Sequence, residues 1–216
     1  MFVTGLLLGA DSSPRLGAPW QLLAYNGETL LGASLRTARE CGFDQLVVTL
    51  GSASEQVQDR VDLDGVRVVE SPHADTSSSS IVPALDAVDR RTDGIIVMLG
   101  DQPGVTSAAV WSLVAEASTP IGLCRYDDGE SYPCWFGREL FGELRGLRSD
   151  SDVWSLVEDG GHPVTKVDAI GNIPTRVTTW PEYHELLGTA APAEELPLDT
   201  HPVRASRART RRRFSY

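Results

Sequence analysis

Two periodicities alternate along the first 124 residues of the chain. Short apolar runs, typical of buried strands, are separated by stretches whose apolar residues recur every three or four positions, as on one face of a helix. The predicted strands span residues 2–8, 45–50, 66–70, 94–99 and 121–124. The predicted helices span residues 29–40, 54–60, 80–88 and 106–116. Strands and helices in alternation, joined by short turns, predict an α/β fold with a mostly parallel sheet and helices on both faces.

The alternation ends after Arg125. The segment DDGESYPCWF predicts a turn followed by a strand, and helices are predicted near residues 138–144 and 153–158. We interpret this region as a cap on one end of the sheet. Ligands of open parallel sheets bind beyond the carboxyl ends of the strands, so the loops at that edge are candidates for a site. These loops follow Leu8, Leu50, Glu70 and Leu99.

The first of these loops belongs to the segment FVTGLLLGADSSPRLGAPWQLL at residues 2–23. Glycine allows the backbone to approach a ligand, serine supplies hydroxyl donors, and Arg15 supplies a planar cation suited to phosphate oxygens. This composition predicts a phosphate-binding loop. Trp20 stands where a second cation is expected, and it has two interpretations: packing at the edge of the core, or stacking on a flat heterocycle.

The loop after Leu99 carries a carboxylate. It contains Gly100, Asp101, Gln102 and Pro103, directly after the most apolar of the predicted strands. A carboxylate at this place suits Mg²⁺, which binds one or two carboxylates together with substrate phosphates. Asp101 as a turn former or helix N-cap is the alternative, because a proline and a threonine follow it.

The loop after Glu70 is rich in serine. Its sequence, SPHADTSSSSIVPAL, has four serines before a predicted helix. Serine hydroxyls and free helix amides can hold an anion or the polar edge of a base. Serine runs are also common in linkers, so both interpretations stay open.

Composition and charge limit the classes of partner. The 216 residues are 41% hydrophobic, with no change of composition before the tail, which predicts one domain at residues 1–187. Residues 188–216 are predicted to be a disordered tail, rich in arginine from residue 201. The chain carries 19 basic and 30 acidic residues, with six arginines in its last 16 positions. The acidic body and the lack of a long apolar run predict a cytoplasmic protein with neither nucleic acid nor membrane as partner.

The sequence lacks the motifs of several common metal-binding and catalytic sites. Cys41, Cys124 and Cys134 have no metal-ligand spacing and an odd number, so we interpret them as core thiols. The four histidines are scattered without ligand spacing. The chain contains no GxxxxGK[ST], no GxGxxG after its first strand and no GxSxG. P-loop kinases, classical dehydrogenases and serine hydrolases are therefore disfavoured.

Four segments together resemble a known family. They are the first loop, GETLL at residues 27–31, FDQLVVTLG at residues 43–51 and GDQPGVT at residues 100–106. They resemble the MobA-like nucleotidyltransferases, most closely the molybdenum cofactor cytidylyltransferase branch, over about residues 3–187. The resemblance implies a Rossmann-like fold of the nucleotide-diphospho-sugar transferase type. It also implies transfer of CMP or GMP from CTP or GTP, with Mg²⁺, to a phosphorylated acceptor such as molybdopterin, with release of pyrophosphate.

The resemblance also implies roles for individual residues. The family's first loop, AAGxSxRxGxxK, matches here at Gly9, Ala10, Ser13, Arg15 and Gly17. By this correspondence Arg15 and Asp101 are the expected catalytic residues, and Asp101 and Asp150 the expected metal ligands. The expected substrate-binding residues are Gly9, Ala10, Ser13, Gly17, Trp20, Ser78, Ser79, Ser80, Gln102 and Pro103.

The chain departs from the family pattern at four positions of this site. Asp11 replaces a glycine and Trp20 a lysine of the first loop. Arg176 and Thr178 replace the two aspartates of the family's closing DIDTPEDY segment, here RVTTWPEY. These changes predict weaker binding of nucleotide and metal. They support a second hypothesis, a degenerate family member that binds a cofactor or serves as a maturation partner of a molybdoenzyme.

Overall fold

The computed structural model of the chain describes residues 1–71, 78–116, 118–147 and 150–188. The strands are β1 (Val3–Gly9), β2 (Ala24–Tyr25), β3 (Glu28–Thr29), β4 (Gln45–Leu50), β5 (Arg67–Glu70), β6 (Gly94–Leu99), β7 (Ile121–Tyr126), β8 (Gly129–Gly137) and β9 (Val164–Asp168). The helices are α1 (Leu30–Glu40), α2 (Ser54–Gln58), α3 (Ile81–Asp86), α4 (Ser107–Glu116), α5 (Phe141–Leu144), α6 (Asp150–Asp159) and α7 (Trp180–Leu186). Short 3-10 turns span Trp20–Leu22, Ser78–Ser80 and Arg138–Leu140.

Seven strands form the main sheet, in the order β5-β4-β1-β6-β8-β7-β9. Only β8 runs antiparallel to its neighbours, while the other pairs in this sheet are parallel. The side chains of β1 and β6 alternate between two hydrophobic clusters, one on each face of the sheet. A strand that is buried on both faces has a nearly continuous run of apolar residues in the sequence. The positions of β1 and β6 could be predicted for this reason. The predicted α/β fold, with a mostly parallel sheet between two layers of helices, is confirmed.

The interpretation of the region after Arg125 as a cap was wrong. Strand β8 lies inside the sheet, between β6 and β7, and forms a tight hairpin with β7. Tyr132, Cys134 and Phe136 face one hydrophobic cluster and Trp135 faces the other, so this segment is buried on both sides like a central strand. An apolar run of this kind cannot show from sequence alone which strand will be its neighbour.

Strand β9 and helix α7 were not among the predicted elements. The residues of β9 are mostly exposed or half-buried at the edge of the sheet, so its apolar pattern is weak. Helix α7 has a clear start signal, because Thr179 and Glu182 form a capping box and a proline occupies its first turn. The predicted tail from residue 189 onward lies outside the described residues. Within the described part of the chain, no helix is both long and apolar enough to cross a membrane.

Candidate functional site

Three loops meet at the carboxyl edge of the sheet. The strand register pairs Gly9 of β1 with Leu50 of β4, and Leu8 of β1 with Leu99 of β6. The three strands therefore end at the same level, and the loops that follow them are neighbours. This brings the first loop next to Asp101, as the sequence predicted for an open parallel sheet.

Two glycines allow these loops to approach closely. A Cβ atom on Gly51 would lie 2.0 Å from the carbonyl oxygen of Ala10, so only glycine permits the contact of the two backbones there. A Cβ atom on Gly100 would lie 2.8 Å from the Trp20 ring and 2.9 Å from the Leu8 carbonyl oxygen. The close packing of the three loops thus requires glycine at the first position of two of them.

Trp20 fixes the first loop from below. Its side chain is fully buried in the core cluster that also contains Leu31. The indole Nε1 donates a hydrogen bond of 2.9 Å to the Asp11 carbonyl, and Gln21 Nε2 donates one of 2.9 Å to the Gly9 carbonyl. Its complete burial agrees with the packing interpretation of Trp20, and the alternative, stacking on a flat heterocycle, would require the ring to become exposed.

The first loop forms one wall of a crevice of about 260 Å³. Residues 10–14 and 17–21 line it, together with Ser52 and Ala53 from the loop after β4. The crevice thus brings together Ala10, Ser13, Gly17 and the buried Trp20 of the predicted binding residues, and Gly17 has a φ of +63°, which favours glycine. The Arg15 side chain is exposed on the same loop, between the lining residues Pro14 and Gly17.

Asp101 is paired with Arg176. The Arg176 guanidinium donates from Nη2 to Asp101 Oδ2 at 2.8 Å and from Nε to Oδ2 and Oδ1 at 3.1 and 3.2 Å. Nη2 also lies 3.8 Å from Oδ2 of Asp11. The Asp101 side chain is 2% exposed and the Arg176 side chain 35%. The predicted metal ligand is therefore a buried carboxylate covered by a cation from the same chain.

The segment that carries Arg176 is fixed by backbone contacts. Gln102 Nε2 donates to the Pro174 carbonyl at 2.7 Å, and the Val177 amide donates to the Asp101 carbonyl at 2.9 Å. Thr178 donates from its amide and its hydroxyl to Glu182, both at 2.8 Å, at the start of α7. Thr178, which replaces a family aspartate, therefore has a local role in the helix start.

The other predicted site residues lie near the same edge with different exposure. Gly9 ends β1 below the crevice, whereas Gln102 and Pro103 are buried, so their predicted contact with a substrate would require a change of structure. Ser78, Ser79 and Ser80 form the turn before α3, and of these Ser79 is half-buried and Ser80 buried. Asp150 begins α6, and its side chain lies outside the described part of the structure.

Sequence reasoning noted Asp11 and Arg176 separately but missed that they belong together. Each departs from the family pattern, and their charges are opposite. Two departures with complementary charge at one site are a signal that they compensate for each other. The negative charge that Asp11 adds to the first loop is thus faced by the positive charge of Arg176.

The carboxylate oxygens at this site are of the type that hard divalent cations bind. Asp101 and Asp11 supply carboxylates, which Mg²⁺ binds together with phosphate oxygens. Among the described residues no group of three or more His, Cys, Asp or Glu side chains could hold a metal ion. Asp101 and Asp11 are the two carboxylates here that could contribute to holding a divalent cation, and both face Arg176 in this structure, while the predicted ligand Asp150 stays a prediction.

The thiols are separate from this site. All three cysteines are free. Burial raises the pKa of the Cys41 and Cys124 thiols to about 12, and burial also raises the pKa of Cys134 well above its ordinary value. These thiols are protonated at neutral pH, and Cys124 and Cys134 lie in the core as interpreted, whereas Cys41 is half-buried.

Comparison with known proteins assigns the chain to a family. The sequence profile of the MobA-like NTP transferase domain matches residues 5–164. Nicotine blue oxidoreductase from Paenarthrobacter nicotinovorans is 34% identical over 113 residues, which are 52% of this chain. The match covers 55% of that relative, so the chain spans about half its length.

Solved structures of mycobacterial relatives share the fold over most of this chain. The homologue of Rv0371c from Mycobacterium sp. strain JC1 is 45% identical, with a TM-score of 0.81 over 86% of this chain and 95% of that one. Rv0371c of Mycobacterium tuberculosis H37Rv in complex with manganese is 42% identical, with a TM-score of 0.81 over 88% of this chain and 100% of that one. From the profile match over most of its length, supported by the shared fold, the chain belongs to the MobA-like NTP transferase family.

Proposed function

We propose that the protein transfers CMP or GMP from CTP or GTP to a phosphorylated acceptor such as molybdopterin. The observation that carries this proposal is the crevice lined by the first loop at the carboxyl edge of the sheet, where the lining residue Asp11 faces Arg176, the partner of Asp101. Membership of the family supports the class of reaction. The relative solved in complex with manganese supports a divalent metal, which we propose to be Mg²⁺ here.

In this proposal the chain acts mainly by positioning and by neutralising charge. The crevice holds the nucleotide, with Ser13 as a hydroxyl donor and Gly17 providing a backbone turn without a side chain. The exposed Arg15 guanidinium binds phosphate oxygens, to which its planar donors are suited. Mg²⁺, when bound at Asp101, would neutralise charge on the triphosphate as pyrophosphate leaves.

The second candidate is a family member that binds the nucleotide or cofactor without transferring it. The pairing of Asp101 with Arg176 favours this alternative, because a guanidinium covers the carboxylate that the reaction would use. Such a protein could act as a binding partner in the maturation of a molybdoenzyme. A measurement of pyrophosphate release from CTP and GTP, with molybdopterin as acceptor, separates the two candidates once binding is established.

Nucleotide binding is the first test of both candidates. We expect millimolar CTP or GTP with Mg²⁺ to raise the melting temperature, because a ligand that binds the native state stabilises it. Arg15→Met should weaken this binding about tenfold, because a charge-assisted contact to phosphate is lost. The measurement is a thermal melt over a range of nucleotide concentrations.

Arg90→Met is the matched control for this test. Arg90 is also an exposed arginine, but it precedes β6 and so lies at the opposite edge of the sheet. Its replacement should leave the nucleotide-dependent shift unchanged. The absence of any shift in the unmodified protein would contradict the proposed function, and an equal loss in both variants would remove Arg15 from the binding site.

A further inference from the structure

Arg176 lies where two loops of the candidate site meet. Its Nη2 atom is 2.8 Å from Oδ2 of Asp101 and 3.8 Å from Oδ2 of Asp11. Because one nitrogen faces both carboxylates, the two oxygens can be no farther apart than these distances together. Two carboxylates from different loops therefore converge on one cation.

The cluster of Asp101, Asp11 and Arg176 has its carboxylates buried and its guanidinium partly exposed. The side chains of Asp101 and Asp11 are 2% and 10% exposed, whereas that of Arg176 is 35% exposed. Buried carboxylates require a cation or a metal ion as partner. An ion that approaches from solvent can reach Asp101 only when the guanidinium moves away, since the guanidinium occupies both of its oxygens.

Hydrogen bonds on both sides of Arg176 hold its backbone to the Asp101 loop, and they do not involve the Arg176 side chain. The Pro174 carbonyl accepts from Gln102 Nε2, and the Val177 amide donates to the Asp101 carbonyl. The guanidinium can therefore turn away while its backbone stays at the site. Gln102, which follows Asp101 in the chain, has a buried Oε1 without a hydrogen-bond partner among the described residues.

We propose that Arg176 is a tethered cation that competes with a divalent metal ion for Asp101 and Asp11. Asp11 takes the part of the second carboxylate that the closing segment has lost. The competition deepens the proposed function and rests on it for its purpose, because a divalent ion at this place would serve to bind nucleotide phosphates.

The charges indicate the direction of the competition. Two carboxylates with one guanidinium keep one negative charge, whereas the same carboxylates with a divalent ion are neutral. The ion therefore gains attraction to the carboxylates, but it must first break three hydrogen bonds between Arg176 and Asp101. Binding of a metal ion without nucleotide should consequently be weak in the unmodified protein.

Titration with Mn²⁺ alone tests this competition without any nucleotide. Free Mn²⁺ is measured by electron paramagnetic resonance in the presence of the full chain. We expect Arg176→Met and Arg176→Gln to bind Mn²⁺ about tenfold or more tightly than the unmodified protein, because the competing charge is gone. Arg176→Gln can retain a hydrogen bond to Asp101, so it serves if the methionine variant does not fold.

Arg125→Met is the matched control. Arg125 Nε and Nη2 pair with Asp168 Oδ1 at 2.7 and 2.6 Å, but both side chains are largely exposed, and among the described residues no second carboxylate forms an ion pair with that guanidinium. Its replacement should leave Mn²⁺ affinity unchanged. Adding Asp11→Asn to Arg176→Gln should remove most of the gained affinity.

Three results would overturn the inference. They are equal Mn²⁺ affinity with and without Arg176, an equal gain in Arg125→Met, and no effect of Asp11→Asn on the gained affinity. Each of these results concerns binding of the metal ion alone and does not affect the interpretation of the thermal melts with nucleotide. Conversely, a protein that binds no nucleotide would contradict the proposed function while the Mn²⁺ titration still decides the competition.

Discussion

Replacement of Arg176 by methionine is expected to lower the free energy of unfolding by about 3 kcal/mol, because it leaves a buried carboxylate without its cation. Asp101 is 2% exposed, and Asp11 lies on the other side of the same guanidinium. Without Arg176 the two negative charges face each other in a poorly solvated place. Urea unfolding followed by circular dichroism measures the loss.

Arg125→Met provides the comparison for this prediction. The Arg125–Asp168 pair has similar hydrogen-bond geometry, but its side chains are 52% and 76% exposed. Exposed ion pairs contribute little, so a loss below about 1 kcal/mol is expected. Similar losses in both variants would mean that burial of Asp101 does not determine the energetic importance of Arg176. Millimolar Mn²⁺ should restore part of the stability of Arg176→Met and none of that of Arg125→Met.

The second large effect is expected at Trp20. Trp20→Lys restores the residue type of the family loop, yet it should lower the free energy of unfolding by about 4 kcal/mol or more. The indole is fully buried and donates a hydrogen bond to the Asp11 carbonyl. It also packs so closely against Gly100 that a Cβ atom there would clash with the ring. A lysine there would leave a cavity and place an ammonium group in the core. Circular dichroism of the purified variant and its urea midpoint test the expectation.

Trp20→Phe separates packing from hydrogen bonding at this position. It keeps an aromatic ring but loses the indole donor, so a loss of about 1 kcal/mol is expected, because the Asp11 carbonyl retains only the 3.4 Å hydrogen bond from Gln21 Nε2. A stable Trp20→Lys variant that binds CTP or GTP more tightly than the unmodified protein would contradict the prediction. It would show that the lysine reaches the crevice and restores the phosphate contact of the family.

These two positions show how the chain has changed its site. In the first loop a tryptophan below the backbone stabilises a loop whose family members carry a lysine. Near the carboxyl edge an arginine and an aspartate stand where the family has an aspartate and a glycine. Both residues make interactions within the protein at positions where the family pattern implies contacts with a ligand. The Mn²⁺ and nucleotide experiments measure how far this replacement has removed the family's chemistry.

The sequence by itself determined the parallel strands β1, β4, β5, β6 and β7, most of the helices and the family. Strands β1, β4 and β6 are apolar runs bounded by turns, and their amphipathic neighbours are regular, so local periodicity was sufficient. The first loop and the GDQP segment were recognisable because their chemistry is contiguous in the chain. Only the tertiary structure placed β8 inside the sheet, buried Trp20 beneath the first loop and joined Arg176 to Asp101. These features depend on contacts between residues distant in sequence, and neither periodicity nor a motif specifies which distant groups will meet when the chain closes on itself.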